Sequence, residues 1–172
     1  SADYYYVNKS SLPKVYGGFN TSLSWKGFDL SAIFAYSIGG YIYNRDITMI
    51  LHNGSLEGRD WSTEILKRWT PDNRYTDVPA LSTTSNDWNS ASTRFLQNNS
   101  YMRLKNLTLS YNLPKQWISK LSLSSVQVYV QGDNLFTIHR NQGLDPEQGI
   151  TGITYYRYPA MRTISGGINV SF

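Results

Sequence analysis

The chain has 172 residues, of which 40% are hydrophobic, 15% aromatic and 16% charged, with a formal net charge of +4 and no cysteine. Soluble domains carry about 25% charged residues, so this aromatic and weakly charged composition is atypical of them, and the absence of cysteine excludes a disulfide scaffold. The Lys and Arg residues are scattered along the chain, with Lys67 and Arg68 as the only adjacent pair, which argues against a nucleic-acid-binding protein.

Period-two alternation predicts the first two strands. From about residue 14 to 25, apolar residues occupy the odd positions and mostly polar residues the even positions. This pattern is typical of a strand with one apolar and one polar face. After the short turn at Lys26 and Gly27, the apolar set moves to the even positions from 28 to 38. The two segments therefore predict a β-hairpin.

The long segment from 39 to 100 predicts a folded loop with one short helix. We expect this helix to run from about Trp61 to Trp69, with Ile65, Leu66 and Trp69 as its apolar face. Thr70 and Pro71 follow directly, and a proline there ends a helix.

Three further strands are predicted at about 101–113, 122–136 and 161–172. In the first of them the alternation changes phase near Lys105, which either a β-bulge at Lys105 and Asn106 or two inward-pointing apolar residues would explain. By parity, Arg103, Lys105 and Arg162 fall on the apolar face, at the outer ends of their strands. A charge costs only about 0–1 kcal/mol at that depth of a membrane.

The connections alternate in length. Two are short, at residues 26–27 and 114–120, and two are long, at residues 39–100 and 137–160. This alternation is typical of a transmembrane β-barrel with short periplasmic turns and long extracellular loops. The sequence thus predicts an all-β, antiparallel barrel segment of about five strands, with Phe172 at the periplasmic rim and facing lipid.

Five strands cannot close into a barrel, because unpaired backbone groups at an open edge are costly in hydrocarbon. We therefore expect the chain to be a fragment of a longer protein. Other segments of that protein should pair with both the first and the last strand.

Ordered motifs extend over nearly the whole chain. They include residues 25–30 (WKGFDL), 100–114 (SYMRLKNLTLSYNLP), 133–136 (DNLF), 143–147 (GLDPE) and 167–172 (GINVSF). Together they resemble the C-terminal barrel strands of the SusC/RagA family, which are TonB-linked outer-membrane transporters of Bacteroidetes. The resemblance implies that residues 1–172 are the C-terminal part of a barrel of about 22 strands that surrounds a plug domain.

The resemblance also implies a function and partners. It predicts a nutrient importer of the outer membrane that takes up oligosaccharides or peptides with a SusD-like surface lipoprotein. The partners would further include membrane lipid, the remaining barrel and plug, and TonB through an N-terminal region that this chain lacks. Neither a cofactor nor a catalytic activity is implied. Phe172, with Val170 and Ile168, would form the signal for barrel assembly, or Phe172 would simply face lipid.

Polar residues suggest no active site. Asp145 and Glu147 invite comparison with a calcium loop or an acid pair, but their spacing favours a turn fixed by Asp-Pro chemistry. His52 and His139 lack a partner at metal-ligand spacing and are interpreted as ordinary loop residues. We therefore predict no catalytic, cofactor-binding or metal-binding residues.

Five aromatic residues of the long loops are candidates for contact with cargo or a partner protein, although packing within the loops is the favoured alternative: Trp61, Trp69, Trp88, Tyr155 and Tyr156. A second hypothesis for the whole chain is a secreted β-sandwich that binds carbohydrate, since such modules also have short alternating strands and aromatic loops. A sandwich does not require the regular alternation of short and long connections.

Overall fold

The structure is a computed structural model that describes residues 5–54, 56, 58–82, 84, 87–147 and 149–172. These residues form two compact units. The sheet unit comprises residues 13–40, 99–147 and 158–172, and the loop unit comprises the other described residues.

The described strands and helices are, in chain order, β1 (Val15–Trp25), β2 (Phe28–Ile38), β3 (Tyr41–Asn44), α1 (Arg45–Ile50), β4 (Leu96–Asn98), β5 (Tyr101–Asn112), α2 (Lys115–Ile118), β6 (Ser125–His139), β7 (Ile153–Thr154) and β8 (Thr163–Ser171). Short 3-10 helices span Thr63–Lys67, Asp87–Asn89, Thr93–Phe95 and Ser119–Leu121. In the described part of the chain, none of the helices has the length and apolar character needed to cross a membrane.

The sheet unit is one antiparallel sheet with the strand order β1-β2-β5-β6-β8. The prediction of an all-β, antiparallel fold is therefore confirmed. Strand β6 begins and ends three residues later than the alternation suggested, at Ser125 and His139. The other four strands lie at or close to the predicted positions.

The first hairpin closes through a two-residue turn. Lys26 and Gly27 both have a positive φ, of 48° and 88°. This combination defines the type I′ geometry, whose twist matches that of the flanking strands. As a result Trp25 pairs directly with Phe28, and the register of the whole hairpin follows.

A β-bulge lies at Lys105. Ile33 of β2 pairs with Asn106 and Phe34 pairs with Leu104, so Lys105 is an additional residue in β5. Of the two explanations for the change of phase, the bulge is confirmed. The extra residue also moves Arg103 to the polar face, so its predicted position on the apolar face was wrong.

The loop unit has its own small core. Strand β3 pairs with β4 in an antiparallel and with β7 in a parallel arrangement. Ile42 of β3 and Phe95 beside β4 are almost completely buried. Helix α1 was not predicted from the sequence. It is capped by Asn44, whose Oδ1 accepts a hydrogen bond from the N–H of Ile47 at 3.1 Å.

The helix predicted from Trp61 to Trp69 is only the 3-10 helix Thr63–Lys67. Of its expected apolar face only Ile65 is buried, whereas Leu66 is 73% and Trp69 44% exposed. The chain is extended at Arg68, and the N–H of Trp69 donates to the carbonyl of Val78. Because the Trp69 N–H is bonded to Val78, it is not available for a further helical turn.

The turn generates a first prediction. Replacing Gly27 with valine should destabilise the protein by about 1–3 kcal/mol, because a β-branched residue is strained at positive φ. A Cβ atom at Gly27 would also lie 3.1 Å from the carbonyl oxygen of Asn112. The measurement is the free energy of unfolding in urea. Lys26→Asn is the control and should cause no loss, because asparagine tolerates positive φ; equal losses in both variants would contradict the prediction.

Candidate functional site

One face of the five-stranded sheet is apolar and exposed. The register places apolar side chains in rows across the strands, such as Leu23, Leu30, Leu109 and Val130, and next to them Trp25, Phe28, Tyr111, Val128 and Ile168. Leu23, Trp25 and Ile168 are each about two-thirds exposed. An apolar surface that continues over five strands is typical of an interaction with a membrane or another protein.

The opposite face is polar, and its side chains are hydrogen-bonded across the strands. The carboxylate of Asp29 accepts bonds from Ser24 of β1 at 2.5 Å and from Asn112 of β5 at 2.7 Å. Farther along the sheet, Asp133 of β6 accepts a bond from Asn106 at 2.8 Å. The two faces therefore differ in chemistry as the alternation predicted, and the hydrogen bonds described above lie on the polar face.

A group of four charged side chains, two of them buried, joins β5 to the connection between β6 and β8. The guanidinium of Arg103 contacts Asp145 at 2.5 Å and Glu147 at 2.8 Å, and its Nε donates to Thr137 at 2.8 Å. Lys105 also contacts Glu147, at 2.6 Å. The side chains of Arg103 and Asp145 are only 4% and 7% exposed. We call Arg103, Lys105, Asp145 and Glu147 the loop anchor.

The side chain of Asp145 bridges the two ends of this connection. Its Oδ1 accepts the N–H of Glu147, and its Oδ2 accepts the N–H of Ala160, 15 residues away in sequence. Burial alone would raise the pKa of the Asp145 carboxyl, but these two N–H groups and the Arg103 guanidinium lower it by more, so the pKa lies below its ordinary value. The carboxylate is therefore charged at neutral pH and holds both ends of the connection.

The turn predicted at Asp145 is present, since the Asp145 carboxylate accepts a hydrogen bond from the N–H of Glu147. The role of Arg103 was not predictable from its expected position, because the bulge at Lys105 displaces that residue to the opposite face. No signal near Asp145 in the sequence identifies a partner 42 residues away.

The two histidines differ in environment. His52 lies in a loop of the loop unit, where it is completely buried with the ring of Trp61 edge-on at 5.1 Å. His139 ends β6, and its Nδ1 lies 2.9 Å from the carbonyl oxygen of Asn141. Within the described ranges, no three His, Cys, Asp or Glu side chains form a group that could hold a metal ion.

Two of the candidate tryptophans take part in packing within the loop unit. The indole N–H of Trp88 donates to the carbonyl of Leu51 at 2.5 Å, and the guanidinium of Arg94 lies 3.6 Å from the ring centroid. Trp61 contacts His52, although 41% of its surface remains exposed. Both residues therefore have a role in the fold of their unit.

Tyr155 and Tyr156 form an exposed pair in the loop unit. Their ring centroids are 4.1 Å apart, and the guanidinium of Arg45 lies 4.8 Å from the Tyr155 ring. The backbone N–H of Tyr156 donates to Asp46 at 3.0 Å, which holds Tyr156 at a φ of 49°. Such a conformation is uncommon for a bulky residue, and 66% of Tyr156 is nevertheless exposed.

Val170 and Ile168 lie on the apolar face of β8, opposite Val126 and Val128. Phe172 follows the strand and is 92% exposed. Among the described strands, β8 pairs only with β6, and β1 pairs only with β2, so the sheet has two open edges.

Comparisons with known proteins agree with this geometry. No protein-family model matches the chain. TonB-dependent receptor P3 of Formosa agariphila is 34% identical over 166 residues, which cover 90% of this chain and 16% of that protein. SusC of Bacteroides thetaiotaomicron is 27% identical over 168 residues, covering 97% of this chain and 16% of that protein.

Solved structures of RagAB are also similar. The RagAB peptide transporter superposes with a TM-score of 0.86 and 36% identity, covering 96% of this chain and 18% of that one. The RagAB peptide importer in the closed-closed state gives a TM-score of 0.85. The chain thus spans less than a fifth of the length of the relatives it matches. These relatives are named receptors and importers, which agrees with the prediction of a non-enzymatic protein.

The loop anchor generates a second prediction. Replacing Arg103 with alanine leaves the buried carboxylate of Asp145 without its cation, a change that costs about 3–5 kcal/mol in buried ion pairs. The N–H groups of Glu147 and Ala160 should then exchange with solvent roughly 100-fold faster or more, as measured by hydrogen–deuterium exchange.

The control is Arg94→Ala. Arg94 forms an ion pair with Asp77 at 3.4 Å, and the Asp77 side chain is 87% exposed. Exposed pairs contribute about 0–1 kcal/mol, so the exchange at Glu147 and Ala160 should not change. Unchanged exchange at these two amides in Arg103→Ala would contradict the assigned role of the anchor.

Proposed function

Because this chain is a segment of a SusC/RagA-like TonB-dependent receptor, we propose that it forms part of the wall of an outer-membrane β-barrel that imports nutrients. The observation that carries the proposal is the five-stranded sheet with an exposed apolar face and a hydrogen-bonded polar face. In a membrane barrel the apolar face contacts lipid, and the polar face lines the interior. The polar face would then surround the plug of the same protein.

The open edges support a barrel completed by other segments. The outer backbone groups of β1 and β8 have no partner strand among the described residues. Each unpaired group costs several kcal/mol in hydrocarbon. The remaining barrel strands of the full-length protein would pair with both edges.

The proposed orientation follows from the connections. The turn at Lys26 and Gly27 and the connection through α2 lie at the same end of the strands and would face the periplasm. The long connections would lie on the extracellular side. Phe172 then lies at the periplasmic rim, where it would act with Val170 and Ile168 as the signal for barrel assembly.

Cargo and a partner lipoprotein would meet the long connections. RagAB is a peptide importer, and for this chain we propose oligosaccharide or peptide cargo and a SusD-like lipoprotein. Tyr155 and Tyr156 are the candidate contact, because they form an exposed ring pair beside the cation Arg45. Trp69, at 44% exposure, is a further contact candidate. Coupling to TonB would use residues outside this chain.

The competing hypothesis, a secreted β-sandwich, has less support. A sandwich requires two sheets packed face to face. The described strands of the sheet unit form a single sheet. Its relatives are, in addition, named TonB-dependent receptors.

The two faces generate a third prediction. Leu107 lies near the middle of β5 on the apolar face, between Ala32 and Gly132. Leu107→Arg should lower the amount of folded full-length protein in the outer-membrane fraction, since an arginine facing lipid at mid-depth costs about 2–4 kcal/mol. The matched control is Thr108→Arg, which places the same residue on the polar face one position farther on. Equal yields of the two variants would contradict the assignment of the faces.

The tyrosine pair generates a fourth prediction. Tyr156→Ala in the full-length protein should weaken cargo binding by about 1–2 kcal/mol, because it removes an exposed ring that we propose contacts cargo. Isothermal titration with a panel of oligosaccharides and peptides identifies the cargo and measures the effect. Tyr75→Ala, which removes a fully exposed tyrosine from the same unit, is the control. If Tyr156→Ala leaves cargo affinity unchanged, the tyrosine pair is not a cargo contact.

A further inference from the structure

Both short connections lie at the same end of the strands of the sheet. Trp25 pairs with Phe28, Phe28 pairs with Tyr111, and the N–H of Asn112 donates to the carbonyl of Gly27 at 2.8 Å. We call residues 25–28 and 111–125 the turn edge. It includes helix α2, the turn of the first hairpin and the ends of four strands.

Two tryptophans are exposed at the turn edge. Trp25 is 64% and Trp117 is 65% exposed. Within the described part of the chain, neither indole N–H has a hydrogen-bond acceptor. Trp25 belongs to the apolar face, next to Phe28. The turn edge is therefore the place where the apolar face ends and polar groups begin, and indole rings favour such a boundary.

The turn edge is also positively charged. It contains Lys26, Lys115 and Lys120 but no acidic residue. None of these lysines forms an ion pair with any residue that the structure describes. The nearest acidic residue along the chain, Asp29, lies on the polar face and accepts bonds from Ser24 and Asn112. The Nζ of Lys26 is 4.9 Å from the centroid of the Trp25 ring, so one cation is held at the boundary itself.

We propose that the turn edge binds the head groups of anionic phospholipids. The lysine ammonium groups would contact lipid phosphates, while Trp25 and Trp117 lie at the level of the head groups and the apolar face continues into the acyl region. The inference rests on the proposed function, because it requires the apolar face to lie in a membrane. Charge complementarity selects this occupant, since the exposed cations form no ion pair with the residues that the structure describes.

The test uses the full-length receptor purified in a neutral detergent and titrated with phosphatidylglycerol or with phosphatidylcholine. The apparent affinity is read from the rise in unfolding temperature. The test variant combines Lys26→Gln, Lys115→Gln and Lys120→Gln. Each basic residue near an anionic surface is worth about a fivefold factor in affinity, so the affinity for phosphatidylglycerol should fall on the order of 100-fold. The affinity for phosphatidylcholine should remain the same.

The matched control combines Lys9→Gln, Lys14→Gln and Lys67→Gln, which remove the same charge outside the turn edge. It should retain the preference for phosphatidylglycerol. The proposal is overturned if the test variant also retains that preference, or if the control loses it to the same degree. It is likewise overturned if the three substitutions abolish binding of a periplasmic protein but leave the affinity for phosphatidylglycerol unchanged.

Cell fractionation separates this proposal from the proposed function. Wild-type protein in the outer membrane without a preference for phosphatidylglycerol overturns the lipid site and leaves the barrel proposal intact. Wild-type protein in the soluble fraction overturns the barrel proposal, and the lipid site with it.

Discussion

The register of the central strand β5 is the constraint on which the other features depend. β5 pairs with β2 on one side and with β6 on the other, and both registers shift at the level of Lys105. On the C-terminal side of the bulge, Leu107, Leu109 and Tyr111 lie on the apolar face. On its N-terminal side the parity is reversed, so Arg103 lies on the polar face. The extra residue therefore places Arg103, which holds the long connection, on the face opposite to these apolar residues.

The strands were predictable because the signal for each lies within its own residues. Alternation in β1 and β2 requires only that one face is apolar, and the turn at Gly27 requires only a residue that accepts positive φ. The change of phase at Lys105 was visible in the sequence as well. Two explanations for it remained open, because the choice depends on how β2 and β6 pair with β5.

The features that the sequence did not reveal depend on partners that are distant along the chain. Arg103 and Asp145 are 42 residues apart, and nothing near either one specifies the other. His52 occupies the core of the loop unit for the same reason, since its contact with Trp61 comes from tertiary packing. The expected helix from Trp61 to Trp69 failed because the backbone bond between Trp69 and Val78 takes precedence over local helix propensity.

The loop anchor has an electrostatic property that its hydrogen bonds do not reveal. Arg103 and Lys105 supply two positive charges, Asp145 and Glu147 supply two negative charges, and three ion pairs connect the four groups. The group is therefore neutral, and its potential decays with distance more steeply than that of a single ion. The buried pair of Arg103 and Asp145 holds the connection, yet a charged solute on the polar side of the sheet experiences almost no long-range attraction or repulsion from the neutral group.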